Sequence, residues 1–176
     1  MTVEDPPDLA REQRIRDAVQ RLQILDTPRE RSFDDLVMLA SQVMRTPMAV
    51  ISIVDGDRLW FKAQVGMPVD EMSQASALCD YPLRLDQVLV IPDACRDPAY
   101  AGHPTVAGPP HIRSYVGLPV HAPDGTVISV LAVGDTEPRV FSGEQISLLE
   151  AIGRQVEQVF ALRATANERA LDRDHA

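Results

Sequence analysis

The sequence predicts an α+β protein built on a mostly antiparallel sheet, and three features carry that expectation. Two pairs of β-rich runs each close on a glycine turn: Met48–Val54 with Leu59–Val65 around Asp55-Gly56-Asp57, and Ile112–Val120 with Thr126–Val133 around Pro123-Asp124-Gly125. Amphipathic helical spacing precedes the first hairpin and follows the second. A long irregular stretch separates the hairpins, so terminal helices are expected on one face of the sheet and that stretch on the other, with room for a pocket beneath it. At 176 residues, 45% hydrophobic and 24% charged, the chain holds one ordinary domain and can bury a core.

Residues 1–10 are acidic and proline-bearing and are expected as a solvated, disordered tail. The domain proper is expected over 11–162 and a helical extension over 163–176. Ile15, Ala18, Leu22 and Leu25 make one helical stripe, which Asp26-Thr27-Pro28 ends. Thr27, Pro28 and Glu30 read as N-cap, N1 and N3 of a second helix, a capping box with proline where its missing N–H is harmless. Phe33, Leu36, Val37, Ala40, Val43 and Met44 form that helix's buried face, and Pro47 blocks its continuation.

In the second strand, Leu59, Phe61, Ala63 and Val65 alternate with Trp60, Lys62 and Gln64, giving two different faces. Residues 66–81 read as irregular with a short helix near Met72–Leu78, and Val88–Ile91 as a short strand. Five prolines (Pro92, Pro98, Pro104, Pro109, Pro110) fall in 92–111, a loop long enough to suggest function or mobility. Ser142 and Gln145 form the capping box of a final helix. Its stripe, Leu149, Ile152, Val156, Val159, Arg163, Ala166 and Ala170, has heptad spacing and predicts a parallel homodimer seam over Leu149, Ile152, Val156, Val159 and Arg163.

Composition excludes several classes of function. A net charge of −9 and a pI near 4.8 argue against a general binder of nucleic acid or anionic membrane. The longest apolar runs, Met48–Val54 and Val116–Val120, fall far short of a membrane span, and the first residues lack the form of a signal peptide, so a cytoplasmic protein is expected. Cys79 and Cys95 make no disulfide framework, and with His103, His111 and His121 they show no zinc spacing; they read as two small buried thiols. No Ser/His/Asp elbow, Walker loop or GxGxxG is present.

The polar candidates cluster after the third strand. Asp93, Arg96, Asp97, Tyr100 and His103 can hold a polar small molecule, although Asp beside Pro is equally turn chemistry. Strand alternation puts His111, Arg113 and Tyr115 on one face, either lining a polar pocket under the 92–111 loop or forming a solvated edge.

The ordered set Leu25-Asp26-Thr27-Pro28, Ile51-Ser52-Ile53-Val54-Asp55, Arg58-Leu59-Trp60-Phe61-Lys62, Val65-Gly66, Ile91-Pro92-Asp93-Ala94, Asp97-Pro98, Gly108-Pro109-Pro110-His111-Ile112-Arg113 and Pro123-Asp124-Gly125 resembles the GAF domains, small sensory modules related in fold to PAS domains. The resemblance spans roughly Arg14–Leu162 and is nearest the bacterial subgroup found ahead of histidine kinases and diguanylate cyclases. It implies a central sheet of five or six antiparallel strands with a loop-covered pocket.

Several features of that family are missing here. The subgroup's Phe-Cys-Ala-His-Ala-Ile reads Leu78-Cys79-Asp80-Tyr81-Pro82-Leu83, so Tyr81 stands at the histidine position and joins the ligand candidates. The cyclic-nucleotide signature and the Cys-His of bilin-binding relatives are both absent. The resemblance implies a non-catalytic sensory module that binds an unidentified small molecule or a partner and signals through dimerising terminal helices, with a histidine kinase or cyclase as one candidate output partner. The alternatives are a ligandless dimerisation scaffold and an enzyme akin to the methionine sulfoxide reductases of this family.

Overall fold

The computed structural model describes residues 8–174. In chain order the elements are α1 (Leu9–Leu22), α2 (Arg31–Met44), β1 (Met48–Asp55), β2 (Arg58–Val65), β3 (Glu71–Ser73), α3 (Asp80–Leu85), β4 (Leu89–Ile91), α4 (Pro104–Ala107), β5 (Ser114–His121), β6 (Val127–Asp135) and α5 (Gly143–Asp174), with 3-10 turns at Gln74–Ser76 and Ala94–Arg96. Both expected hairpins form, and β1 pairs with β6 to join them in one six-stranded antiparallel sheet of order β3-β2-β1-β6-β5-β4. The expected α+β class with five or six strands is what the chain adopts.

β1 and β6 are central and covered on both faces, which explains why their sequences are continuous apolar runs rather than alternating ones. α1, α2 and α5 lie together; Phe33 of α2 meets Phe160 of α5 at 5.8 Å between ring centroids. Gly66 ends β2 at φ +72, and a Cβ there would lie 2.1 Å from the Pro47 carbonyl oxygen, so only glycine permits this crossing. Among the described residues no helix is long and apolar enough to cross a membrane.

The structure departs from several local expectations. α1 begins at Leu9, where the Asp8 side chain accepts from the Arg11 N–H (3.0 Å), so the helix takes in the end of the expected tail; the first seven residues of that tail and the last two of the extension lie outside the described residues. α2 starts four residues after Thr27. The Thr27 hydroxyl instead donates to the Ile24 carbonyl (2.5 Å), and Glu30 is drawn away by two cations, so no capping box forms there. The second expected box does form: Ser142 Oγ accepts from Gln145 N–H (3.1 Å) and Gln145 Oε1 accepts from Ser142 N–H (3.0 Å). The helix expected at Met72–Leu78 is β3 and a 3-10 turn, with the α-helical turns beginning only at Asp80.

The alternation of β2 also fails at one residue. Ile51 faces Ala63 but Ser52 faces Phe61, so Lys62 is the extra residue of a β-bulge. Its side chain is fully buried: Nζ donates to Thr27 Oγ1 and the Pro28 carbonyl, both at 2.8 Å, pairs with the Glu30 carboxylate, and lies 5.5 Å from the Phe33 ring. Arg163 of α5 completes the cluster, reaching Glu30 (2.8 Å) and the carbonyls of Leu22 (2.7 Å) and Gln23 (2.9 Å).

The dimer seam expected on α5 needs correction. Leu149, Ile152 and Val156 are buried in this chain's own core with Phe160, and Arg163 is bonded to the α1–α2 connection, so these side chains are already occupied within one molecule. Val159 remains half-buried. α5 stays attached beyond Val159: Asn167 donates to the Arg21 and Leu22 carbonyls, both at 3.0 Å.

Candidate functional site

An apolar cavity of about 50 Å³, partly open at its mouth, lies on the sheet face away from the long helices. β1 contributes Met48, Val50 and Ser52, β2 contributes Phe61, and Tyr115 comes from β5. Met67, Met72, Ala77, Leu78 and Cys79 close it from the segment between β2 and α3. Thr105, Pro110 and Ile112 close it from the long connection before β5. That connection is a roof as expected, but its cavity-facing residues are almost all apolar.

Four polar side chains, Ser52, Cys79, Thr105 and Tyr115, are among the lining, and two of them pair. Cys79 Sγ and Tyr115 Oη are 3.4 Å apart. Burial pushes the Cys79 thiol up to about 11, with the Tyr115 and Ser52 hydroxyls working weakly the other way. Burial likewise raises the Tyr115 hydroxyl well above its ordinary value. At neutral pH both are protonated, so this pair can exchange hydrogen bonds with a ligand but offers no thiolate.

Of the nine ligand candidates read from the sequence, only Tyr115 lines this cavity. His111 is exposed and adopts φ +61, which breaks the extended chain before β5 begins at Ser114; the assumed common face of His111, Arg113 and Tyr115 therefore does not exist. Arg113 instead grips Asp93 with two bonds, Nε to Oδ1 (3.1 Å) and Nη2 to Oδ2 (2.7 Å). The Asp93 carboxyl is held below the usual carboxylate range, first by those bonds from Arg113.

Asp93 also accepts the Cys95 N–H (3.2 Å) and Asp97 accepts the Ala99 N–H (2.9 Å), both as turn residues. Arg96 is exposed, 3.7 Å from Asp93. Tyr81 donates to Gln87 Oε1 (3.1 Å), Tyr100 packs half-buried against the core, and His103 caps α4 with Nδ1 3.0 Å from Thr105 Oγ1. None of these side chains lines the cavity. Among the described residues no group of three His, Cys, Asp or Glu could hold a metal ion.

Sequence reasoning missed Ser52, Phe61, Cys79 and the three methionines Met48, Met67 and Met72. The signal available was two methionines in the irregular segment after Gly66, since flexible thioethers suit an adaptable apolar lining.

The family model for the GAF domain matches residues 28–160. A cyclic di-GMP phosphodiesterase of Pseudomonas aeruginosa is 32% identical over 149 residues, 84% of this chain; the chain spans about a quarter (25%) of that protein's length. Among solved structures, the GAF domain of an Acinetobacter phosphoenolpyruvate-protein phosphotransferase superposes with a TM-score of 0.63 at 19% identity, covering 90% of this chain and 98% of that one. A free methionine-R-sulfoxide reductase from Neisseria meningitidis, solved with its substrate, gives 0.62 at 16% identity, covering 92% and 96%. At such identities these two likenesses concern the fold.

Proposed function

The chain belongs to the GAF domain family, and from that premise we propose that it is a non-catalytic cytoplasmic sensory module. In this reading the cavity takes a small, largely apolar ligand, and α5 passes the result to an output partner such as a histidine kinase or a cyclase. The observation that carries the reading is the lining: a largely apolar pocket in which Tyr115 and Cys79 pair with each other, while the Ser52 and Thr105 hydroxyls are engaged by the Val130 carbonyl and His103. Such a lining favours a neutral molecule with one hydrogen-bonding group over a charged nucleotide, because a buried charge without a partner is costly. A thiol raised to about 11 is a poor nucleophile, which favours binding over reductase chemistry at Cys79. The homodimer would use the outward stripe of α5, where Leu148 (46% exposed) and Leu162 (71%) stand two heptads apart beside the half-buried Val159.

A ligandless scaffold is the second reading, and the cavity's size favours it: about 50 Å³ holds a few waters, so a ring-sized ligand needs Met67 and Met72 to move. Native mass spectrometry of freshly purified protein separates the two. A bound organic mass, or a rise in Tm with indole or phenol that a Tyr115→Phe variant loses, supports the sensor. Bare protein with no such shift supports the scaffold.

A further inference from the structure

His121 lies outside the cavity, at the end of β5, where α3 and α5 both approach the sheet. The β5–β6 ladder is irregular between Val120 and His121, which frees this residue from strict strand alternation. Its Nδ1 is 2.6 Å from Glu157 Oε1 on α5, and its Nε2 is 2.8 Å from Asp86 Oδ1, the residue that ends α3. The backbone N–H of His121 also donates to Glu157 Oε1 (3.1 Å). One imidazole thus joins the long C-terminal helix to the short helix beside the cavity. Residues Ala77–Cys79, which line the cavity, lead directly into α3, and Pro82 of α3 packs over Gly117 beside the Tyr115 hydroxyl.

We propose that His121 is a proton-operated clasp: the doubly protonated ring ties α3 to α5, and the neutral ring lets Asp86 and α3 go.

The argument is one of donors. An imidazolium has two N–H groups, and here both nitrogens face carboxylates. A neutral ring has one N–H, so a lone pair must then face a carboxylate. Glu157 retains the His121 backbone N–H in either state. Among the described residues the Asp86 carboxylate has no hydrogen bond besides the one to the ring, so the α3 side is the side released.

Neighbouring charges are engaged elsewhere. On α3, Arg84 pairs with Asp80 (3.5 Å); in the β5–β6 turn, Asp124 pairs with Arg21 of α1 (3.5 Å). Arg11 of α1 donates to the Leu83 carbonyl (2.6 Å). Asp135 sits at the far end of β6 and pairs with Arg139, β4 carries no ionisable side chain, and on α5 Arg154 is exposed and Glu150 lies two turns from Glu157.

Burial works to lower the His121 pKa, but the bonds to Glu157 and Asp86 outweigh it and the net shift is upward. A histidine raised in the folded state contributes stability fully below its unfolded value of about 6.5 and loses it as pH rises through the folded value. α3 is therefore secured below about pH 6.5 and loosened as pH rises through the raised folded value. The clasp itself stands without a ligand; that it regulates entry to the cavity rests on the binding reading above.

The test uses the ligand-free full chain, so its failure is distinct from failure of ligand binding. His121 ring signals are followed by NMR from pH 5 to 9, alongside hydrogen exchange of residues 80–91 corrected for intrinsic rates. The ring is expected to titrate above about 6.5, with protection of α3 falling roughly tenfold through the same midpoint as about 1.4 kcal/mol of local stability is lost. In His121→Gln that pH dependence disappears. If that variant does not fold, Asp86→Asn keeps the Glu157 contact and is expected to show weak, pH-independent protection of α3. Flat protection across the wild-type titration, or an unchanged pH dependence in either variant, overturns the proposal.

Discussion

Replacing Glu30 by alanine removes the carboxylate that faces the buried Lys62 ammonium, while Thr27 Oγ1 and the Pro28 carbonyl remain bonded to it. Breaking one side of a fully buried pair costs about 3–5 kcal/mol. The Glu30 side chain is 38% exposed, so water screens part of the interaction and about 2 kcal/mol is expected. For a domain of this size that lowers Tm by about 4–8 °C.

Lys62→Met acts differently. It removes the charge and leaves an unbranched apolar chain beside Phe33 and Trp60, while Glu30 keeps Arg163; the Pro28 carbonyl loses its donor, and about 1 kcal/mol is expected. In that background Glu30→Ala should cost under about 1 kcal/mol, because no buried cation is stranded. Burial tends to raise the Glu30 carboxyl pKa, but Lys62 and Arg163 together hold it below its usual value of 4.5. The stability this carboxylate gives is present above that value and is lost as pH falls through the lowered one, so the cost of Glu30→Ala should shrink in acid. Urea denaturation of the four chains forms the cycle. An equal cost of Glu30→Ala with and without Lys62 would refute the stranded-charge reasoning.

Three further outcomes are expected. Cys95 is exposed and should react with a disulfide reagent at pH 8 within the mixing time, whereas the buried Cys79, its thiol raised to about 11, should react far more slowly; equal rates would contradict the burial of Cys79. Phe160→Ala empties a fully buried site against Phe33 and should cost about 3–5 kcal/mol, against under about 1 for the half-buried Val159→Ala; comparable losses in denaturation would mean that the inner face of α5 is misassigned. If a homodimer forms through the outward stripe, Leu162→Asp should run as a monomer in sedimentation at micromolar concentration with Tm nearly unchanged, and a wild-type chain that is itself monomeric would remove the proposal.

The hairpins, the final helix with its Ser142–Gln145 cap and the family were all legible along the chain. These follow from local signals: glycine turns, runs of β-branched residues and side chains that bond three positions away. Residues that carried the family resemblance turn out to hold the scaffold. Arg58 joins Asp55 (2.8 Å), Asp26 (2.9 Å) and Glu71 (2.9 Å), tying the first hairpin to the α1–α2 connection and β3, and Lys62 anchors the start of α2.

Which polar side chains meet the cavity follows from packing between distant segments. A one-residue bulge at Lys62 and a left-handed His111 each reset the count of faces, so a two-residue period read along the chain wrongly put Ala63 on the face of Phe61 and Arg113 on the face of His111 and Tyr115. The heptad stripe of α5 was real, but a stripe specifies only that a face is buried. Whether a sheet or a second chain covers it depends on elements more than 100 residues away in sequence, such as the Leu22 carbonyl that Arg163 finds.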